Sequence, residues 1–334
     1  MTTDTPTPTD ETRRFLTGAV ATSTLAAAFS ADADIAEPIR AYGPVGDDLT
    51  FAERSVRIFD EVEAACGGGL PPVVLIGAPT GSGWVNPAAL AAVEGWTRGH
   101  CASVALQFGT ARSQASSGAL GAAIDSVEAI VDEYRRRVAS RPETQLVVWA
   151  ESFGAWALLG ALARRPDLLD VASGVHVIWV GVPGPALADP VLRATLDHQL
   201  EHALVVRSGD ELDRRAARQP RGDVLLIHDD DPIPHLPGIS LVWRPQRHTV
   251  PTMLPRATRI YRRGWLPLVT ALHARRTLDL VTRPAPSDRL RDRHDYRYAA
   301  AAAIRACLDL PLDDQPRVEQ LVADHVATRA GGAA

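Results

Sequence analysis

Leu146-Val147-Val148-Trp149-Ala150-Glu151-Ser152-Phe153-Gly154-Ala155-Trp156 runs from a short apolar segment, through a serine among small residues, into the Ala/Leu-rich run that ends at Ala163. The order is strand, sharp turn, helix. A serine held at such a turn projects its hydroxyl above the strand ends, while the helix that follows aims the positive end of its dipole at it. The backbone crosses closely at a nucleophile elbow of this kind, so only small side chains fit two residues before and two after the serine. Ala150 and Gly154 meet that requirement, although glycine is usual at both places. The same residues also read as an ordinary strand-to-helix loop that contains a serine. The rest of the chain has to weigh between the two.

Working outward, Val73 to Ile76, Ala102 to Phe108, His176 to Val180 and Asp223 to Ile227 are further apolar runs of strand length. They alternate with helical stretches at 87–95, 120–138, 191–204 and 211–218. Continuously apolar strands alternating with helices predict a mostly parallel, doubly wound α/β sheet covered on both faces. Nearer the N-terminus, Ile39 to Tyr42 reads as an edge strand. Thr50 to Ala65 reads as an amphipathic helix with Phe51, Val56, Phe59 and Val62 on one face, ended by Gly67-Gly68-Gly69. There is no internal repeat and no clean linker, which predicts one domain over 13–325, preceded by a disordered stretch at 1–12 and a helix within 15–36. The region from Trp243 onward breaks the rhythm, with thirteen Arg against four Asp up to Arg297. Within it, 243–290 is expected to be a lid or insertion over the strand ends, where ligands of open α/β sheets bind.

Composition narrows the classes. The 334 residues carry a net charge of -5, which argues against a general nucleic-acid binder. Every basic residue is Arg. Cys66, Cys101 and Cys307 are far apart and in no metal-ligand spacing, so neither a disulfide framework nor a metal site is expected. No window reaches the roughly 18 to 20 apolar residues of a membrane span. Arg13-Arg14-Phe15-Leu16 and the apolar run after it resemble a twin-arginine export signal, but the acidic Asp10 and Glu11 favour an N-terminal arm of a cytoplasmic protein.

A nucleophilic serine needs a base and a carboxylate that orients it, in the chain order Ser, acid, His for this architecture. The strand at 223–227 ends in His228-Asp229-Asp230-Asp231-Pro232, so an acid is available at the end of a later strand. Spacing does not choose among the three, although Pro232 favours Asp231. A magnesium site is the competing use of three adjacent carboxylates, but successive side chains diverge. Of the downstream histidines, His235 lies too close to the acid loop and His325 falls in a polar C-terminal helix. His294 precedes the Ala-rich helix 299–307, where the last member of such a triad belongs. The two oxyanion donors, worth about 3 to 4 kcal/mol each in barrier height, would be the Phe153 amide and an amide of the loop carrying Thr80, Gly81, Ser82 and Gly83. That loop lacks the glycine spacing of a dinucleotide site and the lysine of a phosphate cradle.

Several separated motifs resemble the α/β-hydrolase family that often forms the C-terminal catalytic part of actinobacterial membrane proteins. They are Arg13 to Gly18, Glu37 to Tyr42, Pro79 to Ala89, Glu151 to Gly154, Trp179 to Gly181, His228 with Asp231-Pro232, Trp265 to Pro267, and His294 with Tyr296, in the same order along the chain. The resemblance implies an α/β-hydrolase fold with Ser152, Asp231 and His294 as the triad, and places Arg13-Arg14 within the family's own entry segment. This chain departs from the pattern in carrying no membrane-spanning half, in Ala150, and in His235-Leu236-Pro237 where the family tends to have Trp. The resulting expectation is an esterase- or lipase-like serine hydrolase that acts on a small acyl substrate and needs no cofactor. Trp84, Glu151, His235 and Trp265 are the candidate substrate contacts. The alternatives are a non-hydrolytic cyclase, isomerase or acyltransferase of the same fold working on a biosynthetic intermediate, or a non-catalytic binding protein. Neither the substrate nor the oligomeric state is legible.

Overall fold

Runs such as Val73–Ala78 and Val175–Val180 are too short and too apolar to make a helix with a solvated face, and both pair with the strand Gln145–Glu151 that lies between them. The computed structural model describes residues 10–29, 33–46, 48–81, 83–109, 119–171, 174–201, 203–206, 222–228, 231, 233–235 and 295–331. Among these, seven strands form one sheet: β1 (Ile39–Gly43), β2 (Val73–Ala78), β3 (Cys101–Leu106), β4 (Gln145–Glu151), β5 (Val175–Val180), β6 (Leu204–Val206) and β7 (Val224–Leu226). Their order is β1-β3-β2-β4-β5-β7-β6, and every pair is parallel.

That order contains a reversal. The chain leaves β2 toward β3 on one side and leaves β4 toward β5 on the other, so β2 and β4 flank the topological switch point, and the crevice beyond their C-terminal ends is where open α/β sheets receive ligands. Parallel neighbours need crossovers, and the helices supply them on both faces. Packed on one face are α3 (Phe51–Ala65), α5 (Ala119–Val138), α6 (Phe153–Arg164), α7 (Gly184–Ala188) and α8 (Pro190–Gln199). On the other face lie α1 (Asp10–Leu16), α2 (Thr22–Ala28), α4 (Pro87–Trp96), α9 (Ala300–Leu308) and α10 (Gln315–Gly331). The alanines of α4 and α9 let the two helices approach closely, and the Trp96 indole spans them by donating to the Ala301 carbonyl at 2.7 Å.

Several expectations shift. Residues 10–12, expected without structure, begin α1, and Thr12 is buried. The helix expected within 15–36 is α2, and the end of α1 reaches into the start of that range. In α3, opened by a Thr50/Glu53 capping box, Val56 is 39% exposed while Ser55 and Ile58 are buried, because spacing from Phe51 at 3.6 residues per turn favours 55, 58, 59 and 62. The helix expected over 191–204 ends at Gln199, and Leu204, read as its last residue, begins the edge strand β6 (Leu204–Val206) beside β7. The helix expected at 211–218 and the lid at 243–290 lie outside the described residues.

Candidate active site

β4 delivers Ser152 to the switch point. The serine has φ 54° and ψ -115°, values that a residue with a β-carbon adopts only under constraint. Asp309, with φ 52° and ψ 46°, occupies the ordinary left-handed well at a helix end; Ser152 does not. Its backbone is nevertheless satisfied. The amide donates to Val180 of β5 at 2.9 Å, and the carbonyl accepts from Ala155 and Trp156 in the first turn of α6. The Phe153 amide, first in α6, meets no acceptor among the described residues and sits at the positive end of a helix of 12 residues. The Phe153 ring stacks on Phe108 at 5.5 Å and meets Trp156 edge-on at 5.8 Å, which anchors that first turn from the side.

The small residues around the serine serve two different neighbours. A β-carbon at Gly154 would lie 2.1 Å from the Ala78 carbonyl, so the glycine is required by the end of β2 pressed against α6. Ala150 pairs with Ala78 across β2 and β4 and is fully buried, so the extra methyl is accommodated within the sheet face.

From Ala78 the chain enters the glycine-rich loop. The Thr80 amide donates to the Trp84 carbonyl at 3.0 Å, and Gly83 donates back to Thr80 at 2.8 Å. Thr80 has therefore committed its amide to the loop, whereas the Gly81 amide has no acceptor among the described residues. Gly83, at φ 90°, presents its carbonyl to the Tyr42 hydroxyl at 2.8 Å. Asn86 closes the loop by capping α4 through the Ala88 amide, and its Nδ2 donates to Glu151 at 3.0 Å.

Glu151 is 3% exposed. Besides Asn86, its Oε2 accepts from the Trp149 indole at 2.9 Å, so the carboxylate expected to contact substrate faces interior donors beneath the elbow. Trp84, also expected to contact substrate, is partly exposed at the mouth of the loop.

The acid loop follows β7. Glu151, Val180 and Leu226 align across β4, β5 and β7, and two strand spacings of about 4.8 Å separate the outer pair. Asp231 is 0% exposed. Its Oδ1 accepts from the Ile233 amide at 2.8 Å and its Oδ2 from the Tyr296 hydroxyl at 2.6 Å, a length typical of a hydroxyl bound to an ionised carboxylate. Tyr296 is itself fully buried: its oxygen accepts from the His228 amide at 3.2 Å, and its ring stacks on the His228 imidazole at 4.2 Å. Burial first, and the neighbouring Asp231 charge second, raise its phenol well above the usual tyrosine range, with Glu151 adding to the effect. The phenol is therefore a fixed donor. Next to it, Arg297 binds Asp295 through Nε at 2.7 Å, and that bond raises its pKa.

His294, Trp265, Asp229, Asp230 and the side chain of His235 lie outside the described residues. His325, set aside as a triad member, contacts the Gly18 carbonyl at 2.9 Å. The buried thiols of Cys101 and Cys307 are also unsuited to nucleophilic attack, since burial pushes the first up to about 12 and the second well above its normal value. Among the described residues no cluster of His, Cys, Asp and Glu is placed to hold a metal.

An alpha/beta-hydrolase family model matches residues 39–317. The chain belongs to that family. No curated protein and no solved structure matches it. Membership agrees with the all-parallel sheet flanked by helices. No helix among the described residues of this alpha/beta-hydrolase is long and apolar enough to cross a membrane. Tyr42, Asn86, His228 and Tyr296 stood in the motifs that suggested the family but had no assigned roles. Each acts through a partner 41 to 68 positions away along the chain.

Proposed function

We propose that this alpha/beta-hydrolase is a serine hydrolase of small acyl esters. The observation that carries the reading is the backbone of Ser152, held at φ 54° and ψ -115° beside the topological switch point. Such a conformation costs about 1 to 3 kcal/mol. An ordinary strand-to-helix loop needs no strained serine there, whereas a nucleophile elbow does. Asp231 supports the reading as a buried carboxylate fixed by two donors. His294 lies two residues before Tyr296 in sequence, and covalent geometry limits that pair of α-carbons to about 7 Å.

In this scheme Ser152 Oγ attacks the ester carbonyl while His294 takes its proton, and Asp231 orients the imidazole and stabilises its charged form. The amides of Phe153 and Gly81 receive the oxyanion. Collapse expels the alcohol, which takes the proton from His294. Water then adds to the acyl-enzyme by the same steps and releases the carboxylic acid and free Ser152. Buried Phe15, Val20, Leu25 and Phe29 support an arm that stays with the folded, cytoplasmic protein instead of being removed as an export signal.

A panel of p-nitrophenyl esters from acetate to octanoate tests the reading. The wild type hydrolyses one or more of them, and Ser152→Ala or His294→Ala lowers kcat by at least about 1,000-fold. Turnover that survives Ser152→Ala would overturn the reading and favour a non-hydrolytic use of the acid loop.

A further inference from the structure

The glycine-rich loop is attached to the rest of the molecule from two sides. On one side the Tyr42 hydroxyl donates to the Gly83 carbonyl at 2.8 Å. A β-carbon at position 83 would lie 2.3 Å from that hydroxyl, so the positive φ of Gly83 and the close approach of Tyr42 require the same glycine. On the other side Asn86 donates to Glu151, the residue just before the serine, which ties the far end of the loop to β4. Between these points the loop is closed on itself by the Thr80–Trp84 and Gly83–Thr80 bonds, leaving the Gly81 amide without an acceptor among the described residues.

Tyr42 is itself backed. Its side chain is 5% exposed, and Phe15 of α1 packs against it with ring centroids 5.1 Å apart. Phe15 is held in turn, because its carbonyl accepts from Arg40 at 2.9 Å, and Arg40 pairs with the buried Glu94 of α4 at 2.6 Å. The contact chain therefore begins in a segment that precedes residue 39, where the family match begins.

We propose that Tyr42, braced by Phe15, and Glu151, acting through Asn86, are positioning residues that hold the 79–86 loop in register with the Ser152 elbow. This rests on the hydrolase reading for its consequence in catalysis, but its structural half stands without it. An oxyanion donor contributes only if it is fixed before charge develops, so freeing one attachment of the loop lowers transition-state binding and leaves ground-state binding nearly unchanged. In holding the loop, Glu151 works as the acceptor for Asn86.

The test compares Tyr42→Phe, Glu151→Gln and Glu151→Ala with the wild-type chain. Hydrogen exchange of the peptide covering 79–86 needs no substrate. It is expected to quicken in Tyr42→Phe and Glu151→Ala and to stay near wild type in Glu151→Gln, whose amide oxygen still accepts from Asn86. With an ester substrate, Tyr42→Phe and Glu151→Ala lower kcat about tenfold at unchanged KM. They also weaken a trifluoromethyl ketone inhibitor, which forms a tetrahedral oxyanion, by the same factor. Wild-type exchange across 79–86 in a folded Tyr42→Phe protein would overturn the proposal, as would a loss confined to KM. A wild-type chain that cleaves no ester contradicts the hydrolase reading alone, and the exchange result still decides the inference.

Discussion

The torsion angles of Ser152 make a prediction that needs no substrate. Both Ser152→Ala and Ser152→Gly remove the hydroxyl, but alanine keeps a β-carbon at φ 54° and glycine does not. The glycine variant should be more stable than the alanine variant by about 1 kcal/mol, after the entropy of its freer unfolded chain is subtracted, as read from urea unfolding of the two proteins. At Gly154 the neighbour is rigid backbone, so Gly154→Ala should cost about 2 kcal/mol or more by forcing α6 away from Ala78. In the proposed triad, loss of the 2.6 Å donor in Tyr296→Phe leaves the Asp231 carboxylate a stronger partner for the His294 imidazole. The acid limb of kcat/KM should then move to higher pH and the rate should fall several-fold, whereas a purely structural role for Tyr296 would leave the limb in place. Ser152 and the acidic loop were legible as candidates because each follows a strand pattern, Ser152 after 145–151 and the three aspartates after 224–226, while spacing alone did not choose Asp231 among them. Tyr296 was not legible as a partner of Asp231, because no local pattern links positions 65 apart.

At the scale of elements, long apolar strands and alternating helices were legible because burial on both faces leaves a continuous signal. β6 was not, since Leu204–Val206 is three residues long, comes only four residues after a helix and borrows its identity from pairing with β7. The approach to β7 also carries a pH-sensitive group. Asp223 accepts from the Val177 amide at 2.8 Å, and burial raises its carboxyl from 3.8 to about 6. In the folded state it holds its proton to higher pH than in the unfolded chain, so between about pH 4 and 6 the folded state binds more protons and stability falls as pH rises. The cost is fully present above about pH 6 and amounts to roughly 3 kcal/mol. Asp223→Asn keeps an acceptor for Val177 and should flatten that part of the profile, measured as the difference in unfolding free energy between the two proteins from pH 4 to 7.

Across the whole molecule, the sheet order brings the loop after β2 and the serine after β4 to the same crevice, while the N-terminal arm lies on the face that carries α4, α9 and α10. The arm is part of that core: Phe15, Val20, Leu25 and Phe29 are buried, and the Val20 amide donates to Glu94 at 2.8 Å. A chain starting at residue 30 should lose well over about 5 kcal/mol, given roughly 1.5 to 3 kcal/mol for each large buried side chain, and its thermal midpoint should fall accordingly. An unchanged midpoint would show that the arm is dispensable. The composition of this segment suggested either a signal or an arm; in the fold its Phe15 carbonyl and Val20 amide are bonded to Arg40 and Glu94. The central claim, that Ser152 is an activated nucleophile, is met most directly by treating the folded protein with a fluorophosphonate and mapping the adduct by peptide mass spectrometry. The account predicts a single adduct on Ser152 that is lost in Ser152→Ala. An intact protein that takes up no label, or takes it up equally after that substitution, would contradict it.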